Sequence, residues 1–389
     1  MQQINNLIRK IFHCLLDLPE ILFLNYLIFL RKNKQRIFLV EISTTIEFFF
    51  LRPVLESIIN RGDLIIIINK RSIFKELRKL CDNNFKKKVF IIDSRWVNCL
   101  FYLDIYFNAS LSYDIITPKN NCPKVHFPHT ITSKTKNDVF SPVIENMTDI
   151  FATGKIFIKD LELYCDEMNF KKPIFHKIGC PKSDDLFKNN NNRKEFLEKL
   201  GLNPALPVIF YAPTWNQNTS LFAWRNDIIN LSARHDINLI LKIHAMNYMD
   251  PTRIKVSGGV DWKDFFDKEL KNKKNIYNVM NADSADFIKM SDVGITDIST
   301  IWIEFYLLHK EIIFLDIPDF FKKYQKNSLG EFRDTYGWLV KDVSRLDNVI
   351  GKILGGAKKE APRIDNDLLF NQGRATGKAV ETLYSLISK

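Results

Sequence analysis

Thr296, Asp297, Ser299 and Thr300 stand together between the β-rich run Val293 to Ile295 and an apolar stretch that opens at Ile301. Hydroxyls and a carboxylate on a strand-to-helix turn can hold a phosphate, because the N–H groups of a helix's first turn lack intrahelical partners and favour an anion. Glu304 lies one helical turn beyond Thr300, which puts its carboxylate on the same side as the hydroxyls. A diphosphate beside a ribose would use both. An ordinary helix start uses the same residues, with Ser299 or Thr300 as the cap, Asp297 orienting the turn and Glu304 as a solvated acid. Spacing alone leaves the two open.

Other strand ends carry comparable chemistry. Tyr211-Ala212-Pro213-Thr214-Trp215 closes a strand that begins near Pro207, and its aromatics suit a wall under a nucleotide as well as a core. Leu239 to Ile243 reads as a strand, and Lys242 with His244 gives its end a cationic pair able to face a diphosphate. His129 follows the strand Lys124 to Phe127 in a Pro128-His129-Thr130 turn, where an imidazole could take the proton of an acceptor hydroxyl. His126 competes for that role, and all of these histidines could equally be satisfied structurally. No dense cluster of His, Cys and carboxylates indicates a metal and there is no Walker-type glycine loop, so no cofactor is expected.

These residues need strands that end where they stand. From Arg36 the pattern alternates, with strands at Ile37 to Ile42, Leu64 to Ile68 and Val89 to Asp93 and helices at Ile46 to Asn60, Ile73 to Asn83 and Ser94 to Phe101. Strand ends follow near Ile105 to Phe107 and Ile115 to Thr117, then strands at Lys124 to Phe127, Asp149 to Ala152 and Ile174 to Ile178, with a helix at Lys159 to Asn169. Past the asparagine-rich run Lys188 to Arg193 come a helix at Arg193 to Leu200, the strands already named, Asn275 to Val279, a helix at Ser284 to Met290, and a strand at Glu311 to Leu315. Such alternation predicts an α/β chain with parallel sheets, whose ligands bind beyond the carboxyl ends of strands. The boundaries read as a helical segment over 1–35, a first domain over 36–185 and a second over 186–389.

At 389 residues the chain exceeds the size at which one core usually splits. A hydrophobic content of 46% with 26% charged residues excludes disorder and fibrous repeats. Cys14, Cys81, Cys99, Cys122, Cys165 and Cys180 show no CxxC or zinc-like spacing and read as free thiols of a reducing cytoplasm, and no cleavable signal is evident. The net charge of +11 favours an anionic partner, although a Lys, Asn, Ile and Phe bias can also follow from AT-rich coding. Without an RNA-binding signature, helix-turn-helix or zinc finger, nucleic acid is not expected. Residues 11–30 are apolar but broken by His13, Asp17, Pro19, Glu20 and Asn25, and Arg31, Lys32, Lys34 and Arg36 follow them. That is the pattern of a peripheral helix on anionic lipid, or of a first helix packed on its own domain.

Taken in order from about Lys124 to Trp338, these segments resemble the CDP-glycerol glycerophosphotransferase family of teichoic-acid and capsule enzymes. Tyr211 to Trp215 is similar to the family's Tyr-Ala-Pro-Thr-aromatic segment, and Thr296 to Thr300 to its Thr-Asp-Tyr-Ser-Ser. Gly179-Cys180-Pro181-Lys182-Ser183-Asp184 is similar to its Gly-Tyr-Pro-Arg-Asn-Asp, and Leu241 to His244 to the strand ending in its His-Pro. The chain departs from it in having Thr130 after His129 where the family has Gly, and Ala245 after His244 where it usually has Pro.

The resemblance implies a GT-B fold, two Rossmann-like domains facing across a cleft with the nucleotide on the C-terminal one. It also implies transfer of a polyol phosphate from a CDP-linked donor such as CDP-glycerol to a glycan or lipid-linked acceptor, with no obligatory metal. His129 matches the family's base, His244, Ser299 and Thr300 match donor-phosphate binders, and Glu304 matches an acid that often holds the ribose. Pro213, Thr214, Lys242, Thr296 and Asp297 complete the expected donor site. The expected location is cytoplasmic, peripheral to the inner face of the cell membrane. Alternatives are a GT-B glycosyltransferase using a nucleotide sugar, and a non-catalytic glycan- or lipid-binding subunit on the same scaffold.

Overall fold

The computed structural model describes residues 18–69, 89–109, 117–128, 131, 144–188, 192–215, 217–234, 236–248, 252, 257–280, 282–323, 333, 336–360 and 364–388. The expected helix at Ile73 to Asn83 and the residue His129 lie outside them. The chain divides into two units, one of Met1–His129, Phe140–Lys182 and Leu369–Lys389, the other of Thr130–Val139 and Ser183–Leu368.

The first unit holds a seven-stranded parallel sheet. Its strands are β1 (Ile37–Glu41), β2 (Leu64–Asn69), β3 (Val89–Asp93), β4 (Ile105–Asn108), β5 (Lys124–His126), β6 (Asp149–Ala152) and β7 (Ile174–Lys177). β1, β4 and β6 are buried along their whole length, as expected where helices cover both faces of a parallel sheet. The spatial order is β3-β2-β1-β4-β5-β6-β7, so the winding reverses between β1 and β4. Helix α1, described over residues 18–31, buries Ile21, Leu24 and Ile28 against this sheet's core. Helix α2 (Thr45–Asn60) is capped by Thr44, whose side chain accepts the Glu47 N–H at 3.2 Å, while Glu47 reaches back to the Ser43 N–H at 2.6 Å. The helix expected at Ser94 to Phe101 is a 3₁₀ segment, Ser94–Cys99, closed at its start by Asp93.

Where the sequence pattern carries the second domain to residue 389, the C-terminal segment instead returns to the first unit. The physical reason is the apolar stripe of the helix Ala375–Ile387, with Ala375, Ala379, Val380, Leu383 and Leu386 buried. Tyr384 packs on Phe38 at 5.5 Å between ring centroids, lies under the Arg61 guanidinium and bonds Asp63. Gly179 sits at the point of return with a φ of +93°, and a Cβ there would run into the Phe370 carbonyl oxygen.

The second unit holds a six-stranded sheet, also parallel. It comprises β8 (Val208–Tyr211), β9 (Asn238–Leu241), β10 (Ile276–Asn278), β11 (Val293–Thr296), β12 (Glu311–Leu315) and β13 (Trp338–Val340). Its order, β10-β9-β8-β11-β12-β13, repeats the reversal of the first sheet, here between β8 and β11. Helix α3 (Ser220–Arg234) comes after β8 in the chain, and helices α4 (Ala285–Met290) and α5 (Ile301–Leu307) come directly before and after β11. Gly294 in β11 lets α5 lie close, since a Cβ there would stand 3.0 Å from the Phe305 ring. Two wound parallel sheets in one chain bear out the expected GT-B class.

Candidate donor site at the second sheet's reversal

In a sheet wound in both directions the connections leave a crevice outside the carboxyl ends of the two strands at the reversal. β8 and β11 are those strands, hydrogen-bonded in parallel with Ile209 beside Val293 and Tyr211 beside Ile295. The pairing extends past their ends, where Ala212 N–H donates to the Ile295 carbonyl at 3.0 Å and the Thr296 hydroxyl donates to the Ala212 carbonyl at 2.7 Å. Pro213-Thr214 and Asp297-Ile298-Ser299-Thr300, separated by more than eighty residues of chain, therefore leave the sheet side by side.

Asp297 fastens this corner. Its side chain is fully buried, and one oxygen accepts the N–H groups of Thr214 at 2.9 Å and Ile298 at 2.6 Å. The other accepts the N–H of Ser220 at 3.0 Å and its hydroxyl at 2.8 Å. One carboxylate thus ties together the turn after β8, the turn after β11 and the start of α3. Because the Ser220 hydrogen goes to Asp297, the Tyr211 hydroxyl at 2.9 Å must be the donor to Ser220. Burial, and then the Asp297 charge, push the Tyr211 phenol well above its usual range, so it stays protonated as that donor. Of the roles the sequence allowed Asp297, the geometry fits orientation of the turn.

The hydroxyls at the corner divide. Thr296 is buried and holds the strand ends together. Thr300 occupies the N-cap position of α5 without a side-chain cap hydrogen bond, so the helix-cap alternative is not what its hydroxyl does. Ser299 and Thr300 are both half-buried. Thr214 is buried with Oγ1 lacking any hydrogen-bond partner among the described residues, an uncommon state for a buried polar atom. Glu304, one turn into α5, accepts the hydroxyl of Ser284, at the N-cap of α4, at 3.2 Å.

β9 lies on the other side of β8 and brings Lys242 and His244 to the same edge. The Lys242 N–H donates to the Tyr211 carbonyl at 2.9 Å, and the His244 and Trp215 rings lie 6.3 Å apart. His244 Nδ1 accepts the Met246 N–H at 3.2 Å, so the neutral ring carries its proton on Nε2 and can donate it. Sequence reasoning missed two neighbours. Asn247, in the turn after His244, is fully buried with both amide heteroatoms unpartnered among the described residues. Arg333, also buried, donates to the Asp297 carbonyl at 3.0 Å and stacks on Phe314 and Phe321. Arg333 carried no sequence signal, since only the fold brings it to the Asp297 carbonyl, whereas Asn247 stands three residues after His244 and was within reach of that motif.

The structure thus assembles Pro213, Thr214, Lys242, His244, Thr296, Asp297, Ser299, Thr300 and Glu304 at adjoining carboxyl ends of the second sheet. In the first unit His126 ends β5, buried, with Nδ1 2.7 Å from Asn108 Oδ1.

A family model described as CDP-Glycerol:Poly(glycerophosphate) glycerophosphotransferase matches residues 156–372, more than half of the chain. The teichoic acid poly(glycerol phosphate) polymerase of Bacillus spizizenii is 26% identical over 278 residues, covering 68% of this chain and 66% of that protein. Its namesake in Bacillus subtilis (strain 168) is 24% identical over 273 residues, 67% of this chain and 34% of that protein. The chain therefore spans just under two thirds of the first relative's length and about a third of the second's. Among solved structures, a variant of the wall teichoic acid polymerase TagF superposes with a TM-score of 0.62 at 15% identity, over 91% of this chain and 89% of that one. A UDP-GlcNAc 2-epimerase from Neisseria meningitidis, bound to UDP-GlcNAc, gives 0.57 at 12% identity, over 90% and 100%. At such identities the likeness is one of fold, and both neighbours share the GT-B arrangement.

Proposed function

The chain belongs to the CDP-glycerol:poly(glycerophosphate) glycerophosphotransferase family, and on that premise we propose that it moves glycerol phosphate, or a related polyol phosphate, from a CDP-linked donor to a hydroxyl of a cell-surface glycan or polymer. The observation that carries this is the corner between β8 and β11, rigidly fastened by Asp297 yet holding the unpartnered Thr214 hydroxyl and the uncapped Thr300. Groups held near the strand ends but unsatisfied by the protein are suited to a phosphate.

In the proposed reaction the acceptor oxygen attacks the donor's β-phosphorus and the bond from that phosphorus to the bridging oxygen breaks. CMP departs with the bridging oxygen, and the acceptor proton passes to His129. His244 donates from Nε2 to the phosphate oxygens, with Ser299 and Thr300 beside it, and Lys242 adds positive charge where negative charge gathers. Glu304 is the proposed ribose contact.

Incubation with CDP-glycerol, CDP-ribitol and common nucleotide sugars tests the reading. CMP release with phosphate transfer is expected. Release of UDP or GDP would make the chain a sugar transferase, and absence of turnover would make it a binding subunit. His129→Ala should lower kcat about 10²–10⁴-fold and leave CDP-glycerol affinity nearly intact.

The site of work is proposed to be an anionic membrane surface. No helix among the described residues is long and apolar enough to cross a membrane. α1 nonetheless exposes Leu22 (61%), Phe23 (57%), Tyr26 (59%) and Phe29 (59%) on the side away from its buried residues, next to Arg31, Lys32 and Lys34. Aromatic and aliphatic groups rimmed by cations suit the headgroup region. Phe23→Glu with Phe29→Glu should release the protein from phosphatidylglycerol vesicles in flotation; retention would remove this surface from the account.

A further inference from the structure

A serine at the start of a helix ordinarily turns its hydroxyl on the N–H groups of its own first turn. Ser284 does not. It stands at the N-cap of α4 without a side-chain cap hydrogen bond, and Asp283 Oδ1 takes the Ala285 N–H at 2.8 Å. The Ser284 hydroxyl, on a residue only 3% exposed, instead donates to Glu304 Oε2 at 3.2 Å, on the other side of β11 in the chain. The last torsion of a glutamate side chain is broad, so a carboxylate on a helix has no preferred plane of its own. With one oxygen tied to α4, that plane is set, and with it the place of the other oxygen.

Such a tie orients Glu304 only if α4 is itself held, and it is held along its length. The Phe287 ring lies 6.2 Å from Tyr277 of β10 and 5.3 Å from Phe196 of the helix Arg193–Lys199. At the C-terminus of α4, where unpaired carbonyls carry partial negative charge, two cations bind. Lys310 Nζ donates to the Lys289 carbonyl at 2.7 Å and to the Ser291 carbonyl, while Arg193 donates to the Met290 carbonyl and to Asp292 Oδ2 at 2.8 Å. Glu304 meanwhile lies in the first turn of α5, beyond the Thr300 N-cap and so beside the proposed phosphate hydroxyls. A carboxylate of set plane can accept the hydroxyls of a vicinal diol, and a site built to bond a substrate hydroxyl rejects the analogue lacking it.

We propose that Ser284 is a positioning residue that sets the plane of the Glu304 carboxylate, and so determines the site's preference for a ribonucleotide over one whose sugar lacks its hydroxyls. The proposal rests on the reading of Glu304 as the ribose contact, and titration calorimetry of the full chain with CDP and with 2′,3′-dideoxy-CDP tests both. The parent should bind CDP on the order of 100-fold more tightly than the dideoxy compound. Glu304→Ala should bring that ratio to within about threefold of unity. Ser284→Ala should lower it about tenfold by weakening CDP alone, whereas a general disturbance of the fold would weaken both ligands together. In the double variant, Ser284→Ala with Glu304→Ala, the ratio should equal that of Glu304→Ala alone, because Ser284 acts through the carboxylate. A ratio unmoved by Ser284→Ala, equal weakening of both ligands, or additive effects in the double variant would overturn the proposal and leave Glu304 as the ribose contact. A ratio unmoved by Glu304→Ala would overturn the ribose reading, and this proposal with it.

Discussion

The two sheets reverse their winding at the same place in their strand orders, yet the residues at the two reversals treat their polar groups in opposite ways. In the first unit Glu41, Tyr106, Asn108 and His126 bond one another in a buried series. In the second, Asp297 binds the backbone on either side of the crevice, while the Thr214 hydroxyl has no partner among the described residues and Thr300 does not cap its helix. A satisfied polar row holds a strand exit in one direction, and a fastened corner with unsatisfied groups is a place for something else to bind.

The sharpest way to break the contrast is to remove the fastening. Asp297→Ala leaves the Thr214 and Ser220 N–H groups buried and unpaired, and the second unit should lose on the order of 3–5 kcal/mol in urea unfolding. A loss below about 1 kcal/mol would mean that the corner is held by other contacts. In the first unit Tyr106→Phe interrupts the row at one link and strands Glu41 without that donor, so about 1–3 kcal/mol is expected, with CDP-glycerol affinity unaltered by calorimetry. Weakened nucleotide binding there would show that the two reversals are not functionally distinct.

The hydroxyls should behave in the reverse sense. Ser299→Ala with Thr300→Ala is expected to weaken CDP-glycerol binding about tenfold, or ~1.4 kcal/mol, while stability changes by less than about 0.5 kcal/mol. A helix cap lost at Thr300 would typically cost ~1 kcal/mol, so a stability loss of that size with unchanged affinity would restore the capping role.

Much of the fold was legible in residue pattern. Asp149 to Ala152 and Glu311 to Leu315 are strands with the bounds their alternation suggested, and the hydroxyl cluster of Thr296 to Thr300 does end a buried strand. The crossovers were not legible. Ser220 and Asp297 meet only because β8 and β11 are neighbours, and Asn108 reaches His126 only because β4 and β5 are. Nothing within either local stretch encodes that adjacency. The C-terminal helix is a related case, since its apolar stripe announces that it must be covered without saying by which domain.

The central claim is that the corner between β8 and β11 holds the donor, and Thr214→Val tests it most directly, because valine keeps the shape of threonine and removes only the unpartnered oxygen. Titration calorimetry with CDP-glycerol should show affinity reduced about five- to tenfold, with the free protein as stable as the parent or slightly more so, since a buried unpaired hydroxyl costs free energy. Unchanged affinity, or a clear loss of stability in the free protein, would contradict the account.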